Sequence, residues 1–182
     1  GFTLTVSDTK LTRYVAPMPF VPEGKEDRDE RCREILLIAS LGLKQRLRHT
    51  GAKTAVVGLS GGLDSTVTGL AMKMLDRPMT DIIAVTMPCF GTTDRTRNNA
   101  VILAERMGAV LKTVDISASV RSHFKDIGHD MDDHSVTFEN AQARERTQIL
   151  MDLANRLNGM VVGTGDMSEL ALGWATYNGD HM

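Results

Sequence analysis

Short apolar runs alternate along most of this chain with longer stretches of helical periodicity. The apolar runs, which are mostly β-branched, are Ala55–Leu59, Ile82–Val85, Val110–Ile116 and Met160–Val162. Between them, apolar positions recur at helical spacing over Ser65–Leu75, Thr96–Met107 and Glu139–Leu157. Continuous apolar strands separated by helices are typical of a parallel sheet with both faces covered. The pattern therefore predicts an α/β fold, a three-layer doubly wound parallel sheet, with ligands at the carboxyl ends of the strands.

The first 24 residues differ from this alternation. Three of the five prolines lie between Gly1 and Gly24, and prolines at that density block helix and ladder hydrogen bonds. We therefore predict a linker or arm over residues 1–24 and a domain over residues 25–182. A helix is predicted next, with Asp27 and Glu30 as its capping pair and Gly51 as its stop.

Two further glycines, Gly108 and Gly159, are predicted to end helices because each follows a periodic stretch.

Charge and cysteine content exclude several classes of protein. The 182 residues carry 21 Lys and Arg against 23 Asp and Glu, a formal net charge of −2, so no basic surface for nucleic acid or membrane is expected. Two cysteines, Cys32 and Cys89, are too few for a disulfide framework, and we expect a cytoplasmic protein. Because the chain begins at Gly1 and not at Met, we also expect either a cloning scar at its start or a fragment of a longer protein.

The loop after the first strand carries the clearest chemistry. It consists of Gly58, Leu59, Ser60, Gly61, Gly62, Leu63, Asp64 and Ser65. Adjacent glycines let backbone N–H groups point into one concavity, and the following helix adds its N-terminal N–H groups, so the loop is predicted to bind phosphate. Ser60 and Ser65 can donate hydroxyl hydrogen bonds to it. Asp64 would repel a bare phosphate, which predicts a divalent cation, typically Mg²⁺, between them.

Three other interpretations compete with phosphate and metal binding by this loop. A Walker-type loop requires a lysine where this chain has Leu63 and Asp64. The segment Gly58–Gly62 also satisfies the G-x-S-x-G elbow of hydrolases, but the late histidine such an enzyme requires is here the penultimate residue, His181. A purely connecting glycine turn would leave Asp64 and the paired serines unexplained.

The segment Ser60–Ser65 resembles the SGGxDS loop of the ATP pyrophosphatases, which cleave ATP between its α and β phosphates. The resemblance implies ATP and Mg²⁺ as ligands, a nucleotide-hydrolase-like α/β fold, and catalytic roles for Asp64, Ser60 and Ser65. Several enzyme families share this loop, so it indicates the chemistry better than the substrate.

Two later stretches resemble NAD synthetases, and in particular the glutamine-dependent ones. Residues 139–147 are similar to their N-x-x-A-R-x-R segment, in which Asn140 and Arg144 would share a helix face and bind deamido-NAD⁺. From the residues alone, Arg144 and Arg146 pair equally well with Glu139 and Glu145 on a solvated face.

The second stretch, residues 163–180, implies further ligands. The resemblance places Thr164 on ATP and makes Glu169 a second ligand of the Mg²⁺ bound by Asp64. Glu169, Trp174, Tyr177 and Asp180 are implied to contact deamido-NAD⁺, with Trp174 stacking on the pyridine ring. The ordinary interpretation of a lone tryptophan, as core filler, remains open from the sequence.

The resemblance implies a ligase that forms NAD⁺, AMP and pyrophosphate from ATP, deamido-NAD⁺ and ammonia through an adenylated intermediate. It also implies an N-terminal glutaminase domain in the parent protein, a chain incomplete at its C-terminus, and a homodimer or higher homo-oligomer. Two alternatives stay open: a non-catalytic ATP-binding module of the same fold, and another ATP pyrophosphatase such as a tRNA thiolase, which would use cysteines.

Two segments have less certain roles. The loop Gly128–His134 contains two histidines and three aspartates, and we interpret it as a solvated polar loop rather than a metal site. The segment Thr86–Arg97 forms an adenine-side wall in the family, and the sequence leaves the directions of its Arg95 and Arg97 open.

Overall fold

The computed structural model describes residues 8, 10 and 12–176, and the chain divides into two compact units, residues 1–34 and 35–182. Within the described residues the helices are α1 (Lys25–Thr50), α2 (Leu63–Lys73), α3 (Asp94–Met107), α4 (Ser117–Ile127), α5 (Val136–Arg156) and α6 (Met167–Leu172). The strands are β1 (Thr54–Gly58), β2 (Ile82–Thr86), β3 (Val110–Thr113) and β4 (Gly159–Val161), and a 3₁₀ helix spans Met79–Asp81. In the part of the chain that the structure describes, no helix has both the length and the apolar character needed to cross a membrane.

In the first unit, residues 12–24 have neither helix nor strand, and α1 begins at Lys25. The predicted capping pair is therefore wrong, because Asp27 and Glu30 lie inside the helix. Asp27 is nevertheless in the first turn, where a negative charge interacts favourably with the helix dipole. The predicted stop is confirmed, since Gly51 follows the last helical residue with a φ of +70°.

The four strands described in the second unit form one parallel sheet in the order β3-β2-β1-β4. Successive strands β1, β2 and β3 run to one side, and the chain then returns to place β4 on the other side of β1. This arrangement confirms the predicted α/β fold with a doubly wound parallel sheet. The order reverses between β1 and β4, and ligands of such sheets bind outside the carboxyl ends of the strands at that point.

Alternate residues of the central strands serve two separate cores. Val56 of β1 and Val85 of β2 pack against α4 and α5, with Phe124 and Leu150 among their neighbours. The alternate residues of the same two strands point to the opposite face of the sheet, where they pack against α1, α2 and α3. Both faces of β1 and β2 are therefore apolar because both are covered by helices.

The third apolar run differs from its prediction. Strand β3 ends at Thr113, although residues 110–116 were predicted as strand, and helix α4 was not predicted. The backbone of residues 114–116 still bonds to the chain after β2, because Ile116 N donates to the Pro88 carbonyl at 3.2 Å, and Ile116 is fully buried. Its apolar character therefore reflects the core and not a strand. Asp115 accepts a hydrogen bond from Ser117 N at 2.8 Å, and its contacts with Ser117 lower the pKa of its carboxyl group.

Of the two predicted helix-ending glycines, Gly108 is confirmed and Gly159 is not. Gly108 caps α3 with a φ of +76°, whereas the left-handed position after α5 belongs to Asn158, at a φ of +50°. Gly159 begins β4, where a Cβ atom would meet the Thr54 hydroxyl and lie 2.7 Å from the Thr54 carbonyl oxygen. Position 159 therefore requires glycine, because a side chain there would prevent the close approach of β4 to β1.

We expect Gly159→Ala to lower the free energy of unfolding by about 1–3 kcal/mol, because the added methyl group forces β4 away from Thr54. Gly42→Ala is the matched control, since it lies in α1 with nothing within 4 Å of a Cβ atom, and should raise stability by up to about 1 kcal/mol. Urea unfolding followed by circular dichroism measures both. Equal effects of the two substitutions would contradict the packing argument.

Candidate active site

A cleft of about 850 Å³ lies at the carboxyl ends of the strands. The loop after β1 contributes Gly58, Leu59, Ser60 and Asp64 to its lining. The segment after β4 contributes Thr164, Gly165, Asp166 and Glu169, and one face of α5 closes the side. The structure therefore brings together in one cleft the predicted phosphate loop, Thr164 and both predicted metal-binding carboxylates.

The predicted phosphate loop, residues 58–65, is held by its own hydrogen bonds and by α3. Ser60 Oγ accepts a hydrogen bond from Gly62 N at 3.3 Å, and Ser65 Oγ donates to the Gly62 carbonyl at 3.2 Å. Gly61 has a φ of +80°, and a Cβ atom there would collide with the Thr96 carbonyl oxygen. The loop is thus pre-shaped. Ser65 is buried and does not line the cleft, in contrast to Ser60.

Helix α2 begins at Leu63, two residues before the predicted start, and its N-cap Gly62 makes no side-chain capping bond. The backbone N–H groups in the first turn of α2 therefore donate no hydrogen bond to a capping side chain, and this turn lies at the edge of the cleft. An uncapped helix N-terminus preceded by glycines is a favourable place for an anion.

The second carboxylate is fixed by a capping box at the start of α6. Asp166 Oδ1 accepts a hydrogen bond from Glu169 N at 2.7 Å, and Glu169 Oε2 accepts one from Asp166 N at 3.0 Å. Glu169 is therefore held toward the cleft with its second carboxylate oxygen outside the capping box. Asp166 fixes the position of Glu169. It was not predicted as a site residue, although its spacing to Glu169 is that of a capping box.

The donor set suits Mg²⁺. Asp64 and Glu169 offer only oxygen atoms, and Mg²⁺ is usually held by one or two carboxylates together with substrate phosphates. Among the described residues, no group of three or more His, Cys, Asp or Glu residues could hold a metal ion by itself. An ion held by Asp64 and Glu169 would therefore need further ligands, such as the oxygen atoms of a bound polyphosphate.

A second cleft, of about 440 Å³, shares a wall with the first. Glu169 and Trp174 line both clefts, and Asn140 lines the second. Trp174 is 78% exposed and belongs to neither of the two cores of the described residues. Tyr177 and Asp180, the other residues predicted for the pyridine nucleotide, lie outside the described residues.

One face of helix α5 lines the large cleft, and the predicted substrate-binding residue Arg144 is not on it. Arg144 is exposed and lines neither cleft, whereas Glu139, Gln142 and Arg146 line the large one. These three positions are separated by three and four residues, and that spacing was the available sequence signal. In the second cleft Asn140 is present without Arg144.

The chain after β2 adds residues that sequence reasoning left unassigned. Arg97 lines the large cleft and Arg95 does not, which settles the open question of their directions. Phe90 and Phe138 also line it, with ring centroids 5.7 Å apart. His134 of the polar loop stacks on Phe138 at 4.5 Å with an interplanar angle of 7°. The other histidine of that loop, His129, contacts the Asp133 carbonyl oxygen at 3.0 Å.

The sequence model of the NAD synthase family matches residues 37–182. The chain belongs to the NAD synthase family. It is 44% identical over 186 residues to the glutamine-dependent NAD(+) synthetase of Mycobacterium leprae, an alignment that covers 97% of this chain and 27% of that protein. The chain therefore spans about a quarter of the length of this relative.

Solved structures of the family share the fold. The glutamine-dependent NAD⁺ synthetase of Acinetobacter baumannii in complex with ADP matches with a TM-score of 0.73 at 30% identity, over 78% of this chain and 27% of that one. The NMN synthetase of Francisella tularensis also matches with a TM-score of 0.73, at 26% identity, over 82% of this chain and 60% of that one.

The contact between the phosphate loop and α3 gives a test that needs no ligand. We expect Gly61→Ala to accelerate amide hydrogen exchange in residues 60–66 and in the first turn of α3, because its methyl group would displace the loop from Thr96. Gly108→Ala is the matched control, since it has the same positive φ but open space around it. Both should lose about 1–2 kcal/mol of stability from backbone strain. Unchanged exchange in Gly61→Ala would contradict the described contact.

Proposed function

We propose that this chain is the synthetase domain of a glutamine-dependent NAD⁺ synthetase, which amidates deamido-NAD⁺ to NAD⁺ and converts ATP into AMP and pyrophosphate. One observation carries the proposal: in a chain of the NAD synthase family, Gly58, Leu59 and Ser60 of the glycine loop, Asp64 in the uncapped first turn of α2, and Glu169 of α6 all line one cleft.

ATP would bind along the loop after β1. The backbone of Gly58, Leu59, Ser60, Gly61, Gly62, Leu63, Asp64 and Ser65 would surround the phosphates, and Thr164 would reach the nucleotide from the end of β4. The positive φ of Gly61 and the missing side chain at Gly62 let the backbone approach the phosphate oxygens closely. Ser60, which lines the cleft, is the better placed of the two serines to donate its hydroxyl.

Mg²⁺ would be held by Asp64 and Glu169, and when bound it neutralises charge on the phosphates. The capping box with Asp166 lets Glu169 meet the ion without first losing side-chain freedom.

Deamido-NAD⁺ would occupy the second cleft, where Trp174 presents an exposed indole for stacking on the pyridine ring and Asn140 supplies an amide. Glu169 borders both clefts and would bring the two substrates together. Arg144, Tyr177 and Asp180 would complete this site.

The reaction would proceed in two steps. A carboxylate oxygen of the nicotinate attacks the α-phosphorus of ATP, and the bond from that phosphorus to the pyrophosphate oxygen breaks. Ammonia then attacks the acyl carbon, AMP leaves with the former carboxylate oxygen, and a proton is lost as the amide forms. The contribution of this chain is orientation and charge stabilisation in a pre-formed cleft.

We further propose that a glutaminase domain of the same polypeptide supplies the ammonia, that residues 1–24 link it to a domain of residues 25–182, and that the enzyme is a cytoplasmic homodimer or higher homo-oligomer. The name of the Mycobacterium leprae relative and its much greater length support the glutaminase domain. Two free cysteines are in keeping with a reducing compartment.

The metal assignment predicts that Asp64→Asn and Glu169→Gln each weaken Mg²⁺-dependent ATP binding by about 10-fold or more, because each removes one charged ligand. Titration calorimetry with and without Mg²⁺ measures the effect, and the difference from wild type should shrink when EDTA replaces the ion. Glu105→Gln and Asp126→Asn, both exposed and outside the clefts, are matched controls. Unchanged affinity in both cleft variants would refute the assignment.

The substrate is tested by release of pyrophosphate from ATP in the presence of ammonium. We expect pyrophosphate release to require a pyridine nucleotide that carries a carboxylate. Release should be faster with deamido-NAD⁺ than with nicotinate mononucleotide. The second substrate is included because the fold is shared with an NMN synthetase. ATP binding without release, in the full-length gene product, would instead indicate a non-catalytic nucleotide-binding module.

A further inference from the structure

Arg146 is a cationic side chain in the large cleft to which the proposed chemistry gives no task. It is half-buried on α5, and its Nε donates to the Met87 carbonyl oxygen at 3.5 Å. Met87 directly follows β2, so the guanidinium group is held at the carboxyl end of the sheet.

A second contact, made by Leu150, places this face of α5 against the glycine-rich loop. One turn further along α5, Leu150 Cδ1 lies 3.2 Å from the position that a Cβ atom of Gly58 would take. Gly58 is the first residue of the loop, and α5 therefore packs directly on its base. Arg146 precedes Leu150 by four residues on the same face and lines the same cleft.

In the part of the chain that the structure describes, the charge of Arg146 is not neutralised by an ion pair, although carboxylates such as Glu139 and Glu169 line the same cleft. No ion pair among the described residues includes Arg146, although Glu139 and Glu145 lie on the same helix. This disfavours a role confined to pairing on a solvated face. Arg97, the other arginine that lines the cleft, interacts electrostatically with Asp115. The loop itself has no lysine, so a guanidinium beside it supplies a positive charge that a Walker-type loop would carry internally.

We propose that Arg146 binds an anionic oxygen of the substrates at the reacting centre, either on the α-phosphate of ATP or on the carboxylate that attacks it. Both groups match the planar donor geometry of a guanidinium. This inference rests on the proposed function and adds to it a phosphate- or carboxylate-binding residue from outside the glycine loop.

The test uses the full-length gene product with Arg146→Ala, Arg146→Lys and Arg146→Gln, and Arg156→Ala as control. Arg156 is exposed, belongs to the same helix and lines neither cleft. Three quantities are measured: the Kd of Mg-ATP by calorimetry, KM and kcat for ATP and deamido-NAD⁺, and Tm with and without Mg-ATP. We expect kcat/KM to fall about 10- to 100-fold in the Arg146 variants and to stay unchanged in Arg156→Ala.

The two sources of the anion give different results. A higher Kd and KM for ATP, with a smaller rise of Tm on adding Mg-ATP, identifies the α-phosphate. A higher KM for deamido-NAD⁺ with an unchanged Kd for ATP identifies the carboxylate. In either case, added guanidinium should partly restore the activity of Arg146→Ala.

A purely structural role predicts another outcome. Loss of the bond to Met87 would then lower the Tm of the free protein, with ATP affinity, both KM values and kcat unchanged, and this result overturns the inference. If Arg146→Ala does not fold, the Lys and Gln variants carry the same comparison. An inactive wild-type protein counts against the proposed function, whereas an active wild type with equally active Arg146 variants counts only against the role of Arg146.

Discussion

The backbone of the loop after β1 passes directly against the first turn of α3, and this contact sets the shape of the cleft. Gly61 has a positive φ and no space for a side chain beside Thr96, while Gly58 at the other end of the loop packs against Leu150 of α5. The loop is thus held between helices from both faces of the sheet. The shape of its backbone is therefore set by the fold itself, and such preorganisation is the condition for effective electrostatic stabilisation of a bound anion.

Charge in the cleft is distributed over separate elements. The loop offers backbone dipoles and Asp64, α6 offers Glu169, and α3 and α5 offer Arg97 and Arg146. Each side chain arrives from the carboxyl end of a strand or from a helix packed against it. Such a site depends on the whole sheet, because a shift of one strand would move one charge relative to the others.

The quality of the sequence predictions follows the range of the interactions involved. The strands and the helices α2, α3 and α5 were identified because their apolar periodicity is local. Helix α4 was missed although its buried residues Val120 and Phe124 are four positions apart, a helical spacing that the sequence contains. Val114 and Ile116 were assigned to a strand because they continue the apolar run of β3, and only the packing of Ile116 in the core shows why it is apolar. Gly159 was misassigned for a similar reason, since its requirement for glycine comes from Thr54, a residue more than 100 positions away.

The amino-acid order alone determined the α/β alternation, the phosphate loop with its inserted carboxylate and the resemblance to NAD synthetases, because these depend on residues adjacent in the chain. The three-dimensional packing decided which polar side chains face the cleft. It placed Glu139, Gln142 and Arg146 of α5 there, and Arg97 but not Arg95 of α3. These outcomes depend on the rotation of each helix on the sheet, which is set by the apolar surface it buries and not by the polar residues themselves.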